Sequence, residues 1–445
     1  MGDNAPSLKR VHTEDGSVSP PPVKRKQQSG TTNSVVANFF TPASQKPKTA
    51  EKVSWTVLHD SLIIGRYQAA EAAKRQEPQK IAVFDFDSTL ISSASGRTFA
   101  KDATDWKWWH GTVPTKLRDL HKDGYLIAIL SNQGGISLKS NNKPLKADLK
   151  RLADFKAKVA NVLIQLDLPI GIYAATAKDE YRKPRTGMWR KLLEYHDLTA
   201  KGSVHLEDSF FVGDAGGRTG ARKDFSCSDR DFASNVGIRY MTPEEYFLGE
   251  EPKPFKRDFE PAAYLGEVVA RSKDAVSLEY TKNNPKDLVL FCGSPGAGKS
   301  TFYWDHLRPL GYERVNQDIL KTRDRCLKAA SDFLANGKSV AVDNTNADPE
   351  TRLHWIKLAT KHEVPVRCVL FTAPAKLCEH NDTVRALNGV MNPENRAMLP
   401  GVAFRSFSGR YREPRLTEGL QDITKVDFTF EGNEEQREIW SKYWI

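Results

Sequence analysis

Residues Phe291–Thr301 read FCGSPGAGKST, and Gly293, Gly298, Lys299 and Ser300 fall at the positions of G-x-x-x-x-G-K-[ST]. That spacing lets backbone N–H groups close around a polyphosphate, while a helix N-terminus adds partial positive charge. A strand candidate, Asp287–Phe291, runs into the loop and a helical segment follows it. In that setting Gly293, Ser294, Gly296, Ala297, Gly298 and Thr301 form a cradle for ATP. Lys299 is expected to reach the β/γ-phosphates and the Ser300 hydroxyl to bind Mg²⁺. A glycine-rich turn that binds nothing is the bland alternative, and the complete spacing argues against it.

A second set of residues offers different chemistry. Asp85-Phe86-Asp87-Ser88-Thr89 follows the short apolar run Ile81–Phe84. Two carboxylates one residue apart point the same way from an extended backbone. One can attack phosphorus and the other can carry a proton, with Mg²⁺ holding carboxylates and phosphate together. Three more strand candidates end in useful residues. Leu126–Leu130 leads to Ser131, Ile170–Ala174 to Tyr181-Arg182-Lys183-Pro184, and Ser209–Val212 to Gly213-Asp214. An inert α/β domain with acids at its loop tips is the alternative.

The elements that must position these residues can be read between them. Helical segments Thr115–Lys122, Lys146–Leu166 and Gly187–Tyr195 alternate with the strands. This alternation predicts a doubly wound parallel sheet whose C-terminal edge gathers the reactive side chains. Only 43 residues separate Asp87 from Ser131. They leave room for a small flap (Ser92–Phe99) and one helix, so the site is expected to stay open to a polymer end. Arg182, Lys183, Arg185, Arg218, Arg222 and Lys223 crowd the same edge, a pattern suited to a nucleic-acid backbone or to plain solvated surface. Trp106, Trp108 and Trp109 could stack bases, but packing against a core is the favoured reading.

The second half continues in the same manner. Tyr312–Asp318 is a strand ending in an acid, and a long helix is expected from Ile319 to Leu334. Strands Ser339–Val342 and Val366–Phe371 and the helix Ala375–Leu387 complete a P-loop kinase layout. Asp318 is the candidate base for an acceptor hydroxyl, with a helix N-cap as its alternative. Asp343 either assists the metal through water or caps a turn. Arg385 is placed to clamp phosphates.

The four strand ends of the first half resemble the haloacid dehalogenase superfamily of phosphatases. The resemblance implies Asp85 as a nucleophile forming an aspartyl-phosphate and Asp87 as general acid/base. It implies Ser131 as a phosphate hydrogen-bond donor and Lys183 as the neutralising cation. Asp214, Asp85 and the Asp87 carbonyl would hold Mg²⁺. Many members carry a second acid shortly after the counterpart of Asp214, where this chain has Arg218. Asp224 and Asp229 both remain candidates for it.

From Val53 onward the chain is similar to the eukaryotic polynucleotide 5′-kinase/3′-phosphatase family. FDFDSTLI, LSNQGGI, YRKPRTGMW, VGDAGGR, KDFSCSDRDFA, GSPGAGKS, VNQD and VDNTNADPETR carry the similarity. It implies DNA with 3′-phosphate or 5′-hydroxyl ends as substrate and a role in repair. RNA end-healing and a small-molecule kinase/phosphatase are the rival readings. Gln317 stands where relatives often have Arg.

The chain has 445 residues and a formal net charge of +10. Two domains and a tail are expected: a basic disordered tail at 1–50, a haloacid dehalogenase-like domain at 51–250 and a P-loop kinase domain at 251–445. Lys9-Arg10 and Lys24-Arg25-Lys26 have the pattern of a bipartite nuclear import signal, which predicts a nuclear protein. Asn33–Phe40 (NSVVANFF) resembles the motif that docks on sliding clamps, with Asn33 in place of the usual Gln. Five cysteines without a C-x-x-C pair predict reduced thiols. No apolar run is long enough to cross a bilayer. A monomer is expected.

Overall fold

The structure, a computed structural model, describes residues 52–67, 78–98, 100–138, 146–220, 223–266 and 280–445. The import and clamp motifs of the tail, and Arg222, lie outside the described residues. Residues Lys52–Ile445 form one compact unit.

The unit contains two large sheets, the first mixed and the second parallel. The first is built from β1 (Val53–Leu58), β2 (Leu62–Tyr67), β3 (Ile81–Phe84), β6 (Leu126–Asn132), β7 (Gly171–Ala175), β8 (Phe210–Val212) and β9 (Arg239–Met241). A small ribbon of β4 (Ile91–Ser92) and β5 (Lys107–Trp108) stands apart from it. The strand order is β1-β2-β7-β6-β3-β8-β9, parallel from β7 to β9. β3 is buried along its whole length because helices cover both faces. Ala82 and Phe84 pack with Val113, Leu117, Val159 and Leu163 of α1 (Val113–Lys122) and α2 (Lys146–Leu166). Ile81 and Val83 pack on the other face, with Met188 and Leu192 of α3 (Gly187–Tyr195) and Phe232 of α4 (Ser228–Val236). The period-2 alternation of one short strand thus serves two cores.

The second sheet has the order β11-β12-β10-β13-β14, entirely parallel. Its strands are β10 (Leu288–Cys292), β11 (Tyr312–Val315), β12 (Ser339–Val342), β13 (Val366–Phe371) and β14 (Asp422–Val426). The helices are α5 (Lys299–Phe302), α6 (Gln317–Leu320), α7 (Arg323–Ala335), α8 (Pro349–Lys361), α9 (Ala375–Leu387), α10 (Gly401–Arg410) and α11 (Glu434–Trp440). In both sheets the first parallel strand is central. Later strands add first on one side of it and then on the other. β3 and β10 therefore end at topological switch points, where a crevice opens beyond the strand ends.

Several expectations change. The β1–β2 hairpin, antiparallel to β7, was absent from the sequence reading. Its turn uses His59 and Asp60 at positive φ, without the Asn-Gly or Asp-Gly signal of a tight hairpin. The long helix at 319–334 is two helices. Lys321 has φ +72°, and the Thr322 side chain caps α7 by accepting from the Arg325 N–H. Asp318 is not a cap either, because Asn316 accepts from the Asp318 and Ile319 amides. The three tryptophans pack against the first core, as favoured. Among the described residues no helix is long and apolar enough to cross a membrane.

Candidate active sites

At the end of β3, the Asp85 carboxylate meets the Lys183 ammonium at 2.7 Å. The same Lys183 Nζ lies 2.8 Å from Asp229 and donates to the Leu130 carbonyl at 2.8 Å. Lys183 is only 3% exposed, so its loop must be held firmly. Asn132 at the end of β6 does part of this. Its amide donates to the Lys183 carbonyl and accepts from the Lys183 N–H, at 3.1 and 2.9 Å. Asp214, following β8, completes the group. Carboxylate oxygens of Asp85, Asp214 and Asp229 all lie within 4.8 Å of one another.

Of the two candidates for the second acid, Asp229 is the one the fold brings beside Asp85 and Asp214. It sits in the first turn of α4 and also accepts from the Ala215 N–H at 3.1 Å. Asp224 is occupied elsewhere. It pairs with Arg218 at 2.9 Å and accepts from the Gly216 and Arg218 amides. Gly213 is required by the approach, since a Cβ there would stand 2.2 Å from Asp229 Oδ2.

Burial dominates the electrostatics. It pushes the Asp85 carboxyl up to about 7, with Lys183 opposing and Asp229 adding to the rise. Burial, then Asp85 and Asp229, push Asp214 up to about 8. For Lys183 burial works against the charge, but Asp229 and Asp85 outweigh it and its pKa is raised. Two buried carboxylates and the half-buried Asp214 gather beside one ammonium, and an oxygen-only donor set of this kind fits Mg²⁺.

Asp87 points into the same mouth but has other partners. Lys158 from α2 reaches it at 3.0 Å and Gln133 donates to it at 2.7 Å. Gln133 also donates to Ser131 Oγ at 3.0 Å, so one amide links two of the expected residues. Sequence reasoning missed Lys158, because nothing local distinguishes it from other lysines on a long helix. The basic edge is smaller than expected. Arg218 is consumed by Asp224 and Glu244, while Lys183 and Arg185 are buried. Arg182 is half-buried, and Lys223 remains exposed at the surface.

Beyond β10, Gly296 and Gly298 take φ values of +76° and +91°. Lys299 is buried, which lowers its pKa, and donates to the Gly293 and Ser294 carbonyls at 3.0 and 2.6 Å. Ser300 Oγ donates to Asp343 Oδ2 at 2.8 Å. Asp343 therefore faces Ser300, with the Asn316 side-chain amide also donating to its Oδ2 at 3.3 Å, and among the described residues no backbone N–H donates to its carboxylate. Arg314 and Arg396 reach the same hydroxyl at 3.0 and 3.2 Å. Sequence reasoning overlooked both arginines. Asp318 is exposed (78% of its side chain), as an acceptor base must be, and lies 3.8 Å from Arg396. Arg385 does not reach Ser300. It pairs with Asp382 on its own helix, leaving its buried Nε without a partner. Arg314 also pairs with Asp343 Oδ2 at 2.5 Å, so guanidinium groups stand on the oxygens of Ser300 and Asp343 that a nucleotide's Mg²⁺ would use beside the glycine-rich loop.

A family profile described as polynucleotide kinase 3 phosphatase matches residues 80–247, and an AAA domain profile matches residues 288–414. A bifunctional polynucleotide phosphatase/kinase of Schizosaccharomyces pombe is 39% identical over 379 residues, covering 85% of each chain. A protein of Acanthamoeba polyphaga mimivirus named for the same two activities is 30% identical, covering 80% of this chain and 87% of its own length. A polynucleotide 3′-phosphatase of Saccharomyces cerevisiae is 26% identical, covering 38% of this chain and 87% of its own. With identity sustained across both halves, the chain belongs to the bifunctional polynucleotide phosphatase/kinase family.

Proposed function

We propose that this enzyme removes 3′-phosphates from DNA ends at Asp85 and phosphorylates 5′-hydroxyls with ATP at Asp318, leaving ends that can be ligated. The observation that carries the reading is the cluster of Asp85, Lys183, Asp214 and Asp229 at the end of β3, a geometry for neutralising a phosphate beside a nucleophile.

In the first reaction an Asp85 oxygen bonds to phosphorus as the bond to O3′ breaks, and Asp87 gives its proton to O3′. Asp87 then takes a proton from water, whose oxygen attacks the aspartyl-phosphate and releases inorganic phosphate. Ser131 donates to a phosphoryl oxygen, and Lys183 keeps Asp85 oriented while offsetting charge. Asp85, Asp214, Asp229 and the Asp87 carbonyl would hold Mg²⁺, which supplies further neutralisation of the phosphate. In the second reaction the glycine loop with Lys299 binds the ATP phosphates, and Ser300, supported by Asp343, would hold the nucleotide's Mg²⁺. Asp318 accepts the proton of the 5′-hydroxyl as the hydroxyl oxygen bonds to the γ-phosphorus and the bond from γ-phosphorus to the β–γ bridging oxygen breaks, releasing ADP. Arg385, paired with Asp382 on its own helix, is the arginine assigned to the ATP phosphates in this reading.

Residues 51–250 and 251–445 are the two catalytic domains in this reading. The protein acts as a nuclear repair monomer, directed by its basic tail clusters and docked on a sliding clamp through Asn33–Phe40. One oligonucleotide with a 5′-hydroxyl and a 3′-phosphate tests the chemistry, with ATP and Mg²⁺. Asp85→Asn is expected to lose only 3′-phosphate removal and Lys299→Ala only 5′ phosphorylation. Wild-type protein leaving both ends untouched would overturn the reading. Competition between matched DNA and RNA ends tests the substrate. Alanines at Lys24-Arg25-Lys26 test nuclear import, and alanines at Phe39-Phe40 test clamp binding.

A further inference from the structure

The segment after α11 joins the two sites. Asn235, near the end of α4, uses every polar group of its amide. Its nitrogen donates to the Pro184 carbonyl at 2.9 Å and to the Tyr443 carbonyl at 2.7 Å. Its oxygen accepts from the Tyr443 N–H at 2.8 Å. Arg185, 8% exposed, donates to the Trp444 carbonyl at 3.0 Å. Pro184 and Arg185 directly follow Lys183. The lysine that grips Asp85 is therefore braced by backbone from the far end of the chain.

That backbone is anchored in turn on the nucleotide loop. Trp440 is 2% exposed, stacks on Phe430 and donates from Nε1 to Asn381 Oδ1 at 2.8 Å. Asn381 donates from Nδ2 to the Gly296 carbonyl at 2.9 Å. The loop approaches the helix of Asn381 so closely at Gly296 that a Cβ there would lie 2.2 Å from the Cys378 carbonyl. Direct hydrogen bonds thus run from Gly296 through Asn381 to Trp440. After a short covalent span they resume from Tyr443 through Asn235 to Pro184, next to Lys183.

We propose that residues 440–444 are a positioning element shared by both sites, holding the Lys183 loop for phosphate cleavage and tying it to the nucleotide loop. Asn235 and Trp440 are positioning residues, because neither touches a reacting atom. The inference rests on the phosphatase and kinase roles proposed above.

The test crosses the two sites in the full chain. Asn235→Asp keeps the side chain's shape but replaces two donors with negative oxygen. Turnover of a 3′-phosphorylated oligonucleotide without ATP should fall by about tenfold with KM changed less than about threefold, because geometry at Lys183 and not substrate binding is disturbed. The dissociation constant of ADP with Mg²⁺, read by calorimetry, should change by about threefold although the substitution lies in the phosphatase half. Conversely Trp440→Phe, which keeps the ring stack, should lower 3′-phosphate turnover by about threefold. Phosphatase turnover unchanged in both variants would overturn the proposal, as would ADP affinity unaffected by Asn235→Asp. If Asn235→Asp lowers the melting temperature, Trp440→Phe alone decides. Wild-type protein inactive on both ends would instead sink the functional reading.

Discussion

Lys183 shows how much a single side chain can be asked to do. It answers two carboxylates at once, Asp85 from the end of β3 and Asp229 from the first turn of α4. Removing one carboxylate should free the lysine to move. Asp229→Asn is expected to lower 3′-phosphate removal by about 100-fold or more, given what one lost electrostatic partner costs in a buried site, and to leave 5′ phosphorylation unchanged. Paired assays of the two reactions on one preparation check this. The raised Asp85 and Asp214 carboxyls make a second prediction. Their folded values, about 7 and about 8, lie above the ordinary 3.8. The folded state therefore binds extra protons in that window. The stability this contributes is complete below the unfolded value and is lost as pH rises through about 7 and 8. Mg²⁺ displaces those protons, so it should raise the melting temperature more at pH 8 than at pH 6. Thermal scans with and without Mg²⁺ at both pH values give the answer, and an equal shift would count against these carboxylates as the ligands.

At the scale of elements, helices are set against loops by the absence of side chains. Gly296 is held at φ +76° with the Cys378 carbonyl of α9 against it. Gly296→Ala would force both a strained backbone and a displaced helix, a combined cost of about 2–4 kcal/mol. The expected outcome is loss of ATP-dependent phosphorylation with 3′-phosphate removal largely retained, read from the same doubly modified oligonucleotide. Equal loss of both reactions would mean the damage spreads beyond the nucleotide loop. Element boundaries were legible where the pattern was local. Lys146–Leu166, Gly187–Tyr195 and Ala375–Leu387 appear with the limits read from sequence, because each carries its own apolar stripe and enough turns to show it. The break at Lys321 was not legible, because Thr322 makes a helix start only when its hydroxyl is seen to cap α7.

At the scale of the whole molecule, His380 reports on how the second half closes. Its ring donates from Nε2 to the Trp440 carbonyl at 2.9 Å and packs against Phe259 and Trp440, while Nδ1 is buried without a partner. Burial lowers its pKa to about 4 from the ordinary 6.5. The unfolded chain binds this proton first as the pH falls. Stability is therefore present above the unfolded value and is lost as pH falls from about 6.5 through about 4, by an amount on the order of 3 kcal/mol. Denaturant unfolding between pH 7 and pH 4 should show this loss, and His380→Gln should flatten it. An identical acid limb in the variant would place the responsible groups elsewhere.

The sequence by itself determined the chemistry and its order along the chain. The glycine loop, the paired aspartates and the four strand ends are local patterns, each written within a few residues. They require no knowledge of what lies opposite. Ser131, Lys183 and Asp214 were named from strand ends together with the resemblance to the haloacid dehalogenase superfamily. Only the tertiary structure decided which acid joins them. Asp224 and Asp229 are equivalent as letters, and the choice depends on Arg218 folding back onto one and Lys183 reaching the other. The same holds for Lys158 on Asp87, for Arg314 and Arg396 on Ser300, and for the brace from Trp440 to Pro184. Each is a contact between residues far apart in the chain, and periodicity and propensity carry no record of such pairings.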